Sequence, residues 1–82
     1  MMKHEFENLV GKDVSQEIYD KVETVYMNYP GINDKQQILD LYKQFGMVII
    51  ADMLPRAQKI QDIEEKIRAL NIEIENYKKV QE

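Results

Sequence analysis

The chain contains no cysteine and no tryptophan, and it has only one histidine. Without cysteine it can form neither disulfide bonds nor thiolate metal sites, and its composition suits a reducing compartment. A single histidine cannot build the usual imidazole metal cluster within one chain, so no metal or other cofactor is expected. A chain of 82 residues also buries too little of its own surface for a strongly stable core. Oligomerisation is the remaining way to gain stability.

Basic residues are also scarce, because 11 Lys and Arg stand against 15 Asp and Glu, which gives a net charge of −4. Phosphate binding needs clustered Lys and Arg, so nucleic acid is disfavoured as the main partner. The longest apolar run, from Met47 to Leu54, is interrupted by Asp52 and is too short to span a bilayer. The first residues, MMKHEFENLV, lack the pattern of a signal peptide. We expect a cytoplasmic protein that has no membrane partner.

The sequence lacks a catalytic constellation. It has no glycine-rich phosphate loop, no plausible Ser-His-Asp set and no His-Glu helix motif. His4 stands near the N-terminus, where a solvated histidine is far commoner than a catalytic one. The carboxylates are spread along helical surfaces, where charges usually serve solvation. We therefore expect no catalytic residues and no enzyme activity.

Apolar residues recur at helical spacing along the chain, which predicts an all-α fold. Residues 3–10 are predicted to form a short helix that ends at Gly11. A second helix is predicted over 14–29, and Pro30 and Gly31 should stop it.

A third, strongly apolar helix is predicted over 34–54. Asn33 is suited to cap its N-terminus, and Gln36 stands where a capping box requires it. From Met47 to Leu54 this helix has almost no polar face. A helix that is apolar all round is buried all round, so other chains are the expected cover.

A heptad pattern fills the C-terminal part of the chain and predicts a coiled-coil continuation over 55–80. Lys59 at position g faces Glu64 at position e of a parallel partner, and Glu73 at g faces Lys78 at e, so both pairs attract. The alternative is a helix that packs on its own chain's first two helices, and self-association is favoured over it. The apolar a and d positions are Ile60, Ile63, Ile67, Leu70, Ile74 and Tyr77.

The heptad phase passes through Pro55 without a skip. Two independent helices have no reason to share a register, so we expect one helix over about 34–79 that bends at the proline. The alternative makes Asp52 the N-cap of a separate helix with Pro55 in its first turn. The expected fold is therefore a single helical domain over 1–82, with short N-terminal helices packed on a long Pro-kinked helix that ends in a coiled coil and forms a homo-oligomer. Its oligomerisation surface should comprise Phe45, Ile49, Met53, Ile60, Ile63, Ile67, Leu70, Ile74 and Tyr77.

Five tyrosines are many for a chain of this length. Aromatic faces beside basic side chains can hold a nucleotide base and its phosphates by stacking and charge. The alternative, amphipathic residues at the edge of a small core, is the more common use of such tyrosines. The candidate ligand-binding residues are Tyr26, Tyr42, Arg56 and Lys59.

Three segments carry a resemblance to a known group of proteins. They are YDKVETVY at Tyr19–Tyr26, the YPGI that follows soon after, and LYKQFGMVIIADMLP at Leu41–Pro55. Over roughly residues 6–57 the chain resembles small proteins from phages and prophages of Gram-positive bacteria. The resemblance implies an accessory protein that acts by binding in the host cytoplasm, as an inhibitor of a host factor or as a sponge for nucleotide signals, both being forms of counter-defence.

Three functions therefore stay open at this point. The first is a self-associating protein that binds, and by binding inhibits, another protein. The second is an oligomeric sponge that sequesters a nucleotide signal in pockets between subunits. The third is a purely structural coiled-coil protein or a DNA-associated one. The number of strands also stays open, because isoleucine at both a and d favours three or more, whereas Leu70 and Tyr77 do not.

Overall fold

Four α-helices make up the fold in a computed structural model that describes residues 1–81. Those residues contain no β-strand, which confirms the all-α prediction. None of the described helices combines the length and the apolar character that crossing a membrane requires. The helices are α1 (Lys3–Val10), α2 (Gln16–Asn28), α3 (Lys35–Phe45) and α4 (Met47–Gln81).

The first three helices and the beginning of α4 enclose one small apolar core, which we call the body. Within it α4 packs chiefly on α2, while α3 contacts both α4 and α1. Phe6 lies among the aromatic residues of this core, with its ring centroid 5.0 Å from that of Tyr42 in an edge-on contact and 6.0 Å from that of Tyr19. The buried residues are Phe6, Val14, Tyr19, Val22, Val25, Ile38, Leu39, Tyr42, Ile50, Met53 and Ala57.

Side-chain caps begin the two middle helices. The hydroxyl of Ser15 accepts the backbone N–H of Ile18 at 3.1 Å at the start of α2. At the start of α3 the carboxylate of Asp34 accepts the N–H of Gln37 at 3.0 Å, and the Gln37 side chain accepts the N–H of Asp34 in return. The capping box therefore lies one residue later than the sequence predicted from Asn33. The negative charge of an aspartate also suits the positive end of the helix dipole.

The predicted single helix over 34–79 is wrong at Gly46, where the chain turns between α3 and α4. Gly46 has φ 69° and ψ −152°, a conformation that is essentially restricted to glycine. Its N–H donates to the Tyr42 carbonyl at 2.7 Å and thereby closes α3. The turn allows α3 to fold back and contact α4. The spacing of apolar residues runs on through the turn, so the heptad phase gave no sign of it.

Pro55 lies inside α4 rather than between two helices, as the unbroken heptad phase predicted. A proline in a helix has no N–H for the carbonyl four residues earlier, which here belongs to Ala51. Both Pro55 and Ala51 are exposed, so the interruption is on the solvent side of the helix. Water can satisfy the freed carbonyl there, which makes the proline tolerable.

Beyond Gln61, α4 leaves the body, and every described side chain from Asp62 to Lys79 is exposed. We call this segment the tail. The molecule measures 57 × 23 × 21 Å with a radius of gyration of 16.8 Å. A compact chain of this length would have a radius of gyration of about 12 Å. The projecting tail accounts for the difference, and none of its described side chains is buried against the chain's own first two helices.

The backbone conformation of Gly46 can be tested by making the same substitution at Gly46 and at Gly11, a second glycine of positive φ. Gly11 has φ 78° and ψ 19°, in the left-handed region that asparagine tolerates. We expect Gly46→Asn to lower the free energy of unfolding by about 1–3 kcal/mol, because asparagine is strained at this φ and ψ. Gly11→Asn should cost clearly less. Urea unfolding followed by circular dichroism compares the two variants, and equal losses would contradict the special backbone of Gly46.

Candidate interaction surface

One side of the tail exposes a row of large apolar side chains. Each of them is between 47% and 66% exposed. Part of each side chain packs against the helix itself, and the rest faces solvent in the single chain. We call this row the tail stripe, and it consists of Ile63, Ile67, Leu70, Ile74 and Tyr77.

Charged residues flank the tail stripe at the positions that the heptad pattern gives them. Lys59, Glu64, Glu73 and Lys78 are all exposed. Ile72 is also exposed, to 60%, but it occupies the outer position of the heptad, away from the stripe. The tail therefore presents one apolar side with charged borders and one isolated isoleucine elsewhere.

A second exposed apolar surface lies where α3 meets α4. Val48 is 78% exposed and Phe45 is 50% exposed. These two residues line an open pocket of about 400 Å³ together with Ile49, Ala51 and Asp52. We call this surface the junction patch. It is apolar apart from the Asp52 carboxylate, so its chemistry suits contact with another apolar surface.

Next to the junction patch, another side of α4 is buried in the core of the same chain. Ile50 is fully buried and Met53 is 7% exposed, and both belong to the core of the body. The prediction that other chains bury the whole apolar segment is therefore wrong for this side. Among the predicted oligomerisation residues, Phe45 and Ile49 lie in the junction patch, while Ile60 is half-buried at the base of the tail.

Two of the predicted ligand-binding residues contact other side chains of the same chain, Tyr42 from a buried position and Arg56 from an exposed one. Tyr42 is buried and packs on Phe6, and the Lys12 ammonium lies 6.0 Å from the centroid of its ring. The Arg56 guanidinium lies 5.9 Å from the ring centroid of Tyr29. Arg56 and Tyr42 thus contact different aromatic partners. Sequence reasoning did not single out Lys12, because only the fold brings it to Tyr42.

The other two candidates differ in their exposure to solvent. Tyr26 is half-buried on α2, and Lys59 is exposed on α4. Neither lines the small cavity of about 120 Å³ beside Tyr42, whose other walls are Val10, Lys12 and Lys43. The described cavity at Tyr42 therefore does not unite the four residues into one ligand site.

A polar groove of about 480 Å³ runs between α2 and α4. Asp20, Glu23 and Glu64 line it with carboxylates, and Arg68 supplies one guanidinium. From the sequence we expected a groove between the second helix and the long helix to be lined by tyrosines, whereas the residues that line this groove include no tyrosine. Within residues 1–81 no three His, Asp or Glu side chains are grouped so that they could hold a metal ion.

The titratable groups with perturbed pKa values stabilise the body. Lys35 pairs with Glu5, which links the start of α3 to the start of α1, lowers the pKa of Glu5 and raises the pKa of Lys35. Burial raises the pKa of the Tyr19 phenol, and the nearby Glu23 adds to this shift. The Tyr19 hydroxyl donates to the Met1 carbonyl. These groups join elements of the body, and none of them belongs to the tail stripe or the junction patch.

Comparisons with known proteins add no relative. A scan against protein-family models, a search of curated proteins and a search of solved structures each found no match.

The contact between Arg56 and Tyr29 predicts that substitution of Arg56 destabilises the fold more than substitution of the nearby Lys59. Arg56→Gln should lower the free energy of unfolding by about 0.5–1 kcal/mol, because it removes a cation–π contact. Lys59→Gln is the matched control, since Lys59 is exposed and should tolerate the change. Chemical denaturation measures both. Equal stability of the two variants would contradict a structural role for Arg56.

Proposed function

We propose that this protein is a non-enzymatic interaction protein that self-associates through its tail and binds, and thereby inhibits, a protein partner. The observation that carries the proposal is the tail stripe, a row of half-exposed apolar side chains on a helix that has left the body. In proteins most of the stability of a helix comes from the packing of its apolar face, and the tail stripe is exposed in the single chain. Packing against another chain would stabilise the tail and remove its apolar side from solvent.

The borders of the tail stripe favour a copy of the same chain as the occupant. In a parallel pair, Lys59 meets Glu64 and Glu73 meets Lys78 across the interface. The surface is therefore complementary to itself, as the symmetric interface of a homo-oligomer requires. A helix of unrelated sequence would match these charges only if it carried the reciprocal pattern.

The strength of this association can be bounded. Full burial of a large aliphatic side chain contributes about 1.5–3 kcal/mol, so five half-exposed side chains on each of two chains contribute about 10 kcal/mol in all. Association costs about 4–15 kcal/mol in lost translational and rotational freedom. The two quantities are of similar size. The tail stripe by itself would therefore give weak assembly that depends strongly on concentration.

Partner binding is the second half of the proposal. Assembly through the tails would leave the folded bodies accessible to another protein. The phage-type accessory role against a host protein stays a prediction from the resemblance of residues 6–57. Sequestration of a nucleotide receives less support, because Tyr42 and Arg56 already contact other residues of the body. Association with DNA receives less support from a chain of net charge −4.

Two isoleucines of the tail provide a matched test of self-association. Ile67 is 52% exposed in the tail stripe, whereas Ile72 is 60% exposed on the outer side. Ile67→Asp should weaken assembly by about 100-fold or more, because it places a charge in an apolar interface. Ile72→Asp should leave assembly unchanged. Sedimentation equilibrium measures the dissociation constants.

Either of two results would contradict the proposal. One is a wild-type chain that sediments as a monomer at high micromolar concentration. The other is an equal effect of the two substitutions, which would mean that the tail stripe is no different from the rest of the helix surface.

A further inference from the structure

We infer that copies of this chain meet in a parallel, in-register arrangement along one continuous side of α4, so that the interface extends from the tail stripe to the junction patch. The inference rests on the proposed self-association and adds its orientation and extent. It commits the junction patch to a copy of this chain. Three features of α4 carry it: the side on which its exposed residues lie, the charges along its borders, and the position of Arg56.

Three of the four α4 residues of the junction patch lie on the same side of the helix as the tail stripe, whereas Ala51 lies about 120° away from it. An α-helix turns by about 100° per residue, and on this geometry Val48, Ile49 and Asp52 fall within about 70° of the mean direction of the tail stripe. Ile50 and Ala57 lie more than about 100° from that direction. Both are fully buried in the core of the chain. One side of α4 therefore packs in the core of the body, and a different side carries both the junction patch and the tail stripe.

The border charges favour the parallel, in-register orientation. In that arrangement Lys59 meets Glu64 of the second copy and Glu73 meets Lys78, and symmetry doubles each attraction. An antiparallel pair with the stripes fully overlapped has only the attraction between Lys66 and Glu73, which symmetry also doubles, so it has half as many attractive pairs. A shift of the antiparallel pair by one heptad in either direction adds an attraction, Lys59 with Glu73 or Glu64 with Lys78, but it also brings like charges together, Lys66 with Lys66 or Glu73 with Glu73. The parallel, in-register arrangement therefore has the most attractive pairs and no repulsive one.

Arg56 lies between the junction patch and the tail stripe on the same side of the helix. In a parallel assembly, two Arg56 side chains would otherwise repel each other close to the axis. The guanidinium instead lies over the ring of Tyr29, 5.9 Å from its centroid. This contact holds the charge against its own body and away from the other copy. Two copies can therefore pack along the whole of this side of α4 despite the positive charge of Arg56.

The first experiment tests orientation by cysteine cross-linking. The chain has no cysteine, so a single introduced thiol is unique. Two cysteines can form a disulfide only when their Cα atoms are within about 7 Å. Under mild oxidation Ile74→Cys should cross-link into a covalent dimer, because this position faces itself in a parallel, in-register pair. Ile72→Cys, on the outer side, is the matched control and should cross-link at least about tenfold more slowly.

An antiparallel assembly gives a different pattern. Ile74 of one copy would then face Ile63 of the other, and a mass-tagged mixture of Ile63→Cys and Ile74→Cys chains would cross-link between the two variants. That result would overturn the inferred orientation. So would Ile74→Cys cross-linking no faster than Ile72→Cys while the wild type assembles.

The second experiment tests whether the junction patch belongs to the interface. Val48 is 78% exposed, so Val48→Asp should leave the fold intact, which circular dichroism of the diluted variant verifies. We expect it to raise the dissociation constant at least tenfold by sedimentation equilibrium. Met27→Asp is the control, because Met27 is 68% exposed on α2 and lies outside both surfaces. An equal dissociation constant for Val48→Asp and wild type would remove the patch from the interface and leave self-association standing, whereas a monomeric wild type would overturn both.

Discussion

The constraint on which the structure depends is that the chain is too short to cover its own longest helix. α4 has 35 residues, whereas α2, the next longest helix, has 13. At about 1.5 Å per residue these helices are about 52 Å and 20 Å long. The body can therefore cover only the base of α4. The exposed tail and the elongated shape both follow from this difference in length, and they are the basis of the proposed self-association.

The turn at Gly46 decides how α4 divides its surface. Because the helix is interrupted there, α3 contacts α4, and Ile38 and Leu39 of α3 share one core with Ile50 and Met53 of α4. Val48 stays on the uncovered side. Pro55 is tolerated because the backbone group that it leaves unpaired lies toward solvent. The same helix thus serves the core of one chain and carries the surface that we assign to self-association.

Local signals in the sequence were enough to predict most helix ends, because glycine and proline act on the backbone where they stand. Gly11 ends α1, and the second helix stops before Pro30 and Gly31. Gly46 escaped prediction because the apolar spacing continues on both sides of it. The tail stripe could be predicted residue by residue, since no other element of the chain alters its exposure. Met53 could not be assigned correctly, because its burial depends on which helices pack on α4.

Hydrogen exchange measured as a function of protein concentration tests most directly the claim that another chain must cover the tail. Peptides spanning residues 63–77 should exchange rapidly at low concentration and become protected as the concentration rises. Peptides spanning residues 47–57 should show protection that does not depend on concentration, because the body covers this part of α4. Tail amides that exchange at the same rate across the whole concentration range would contradict the account.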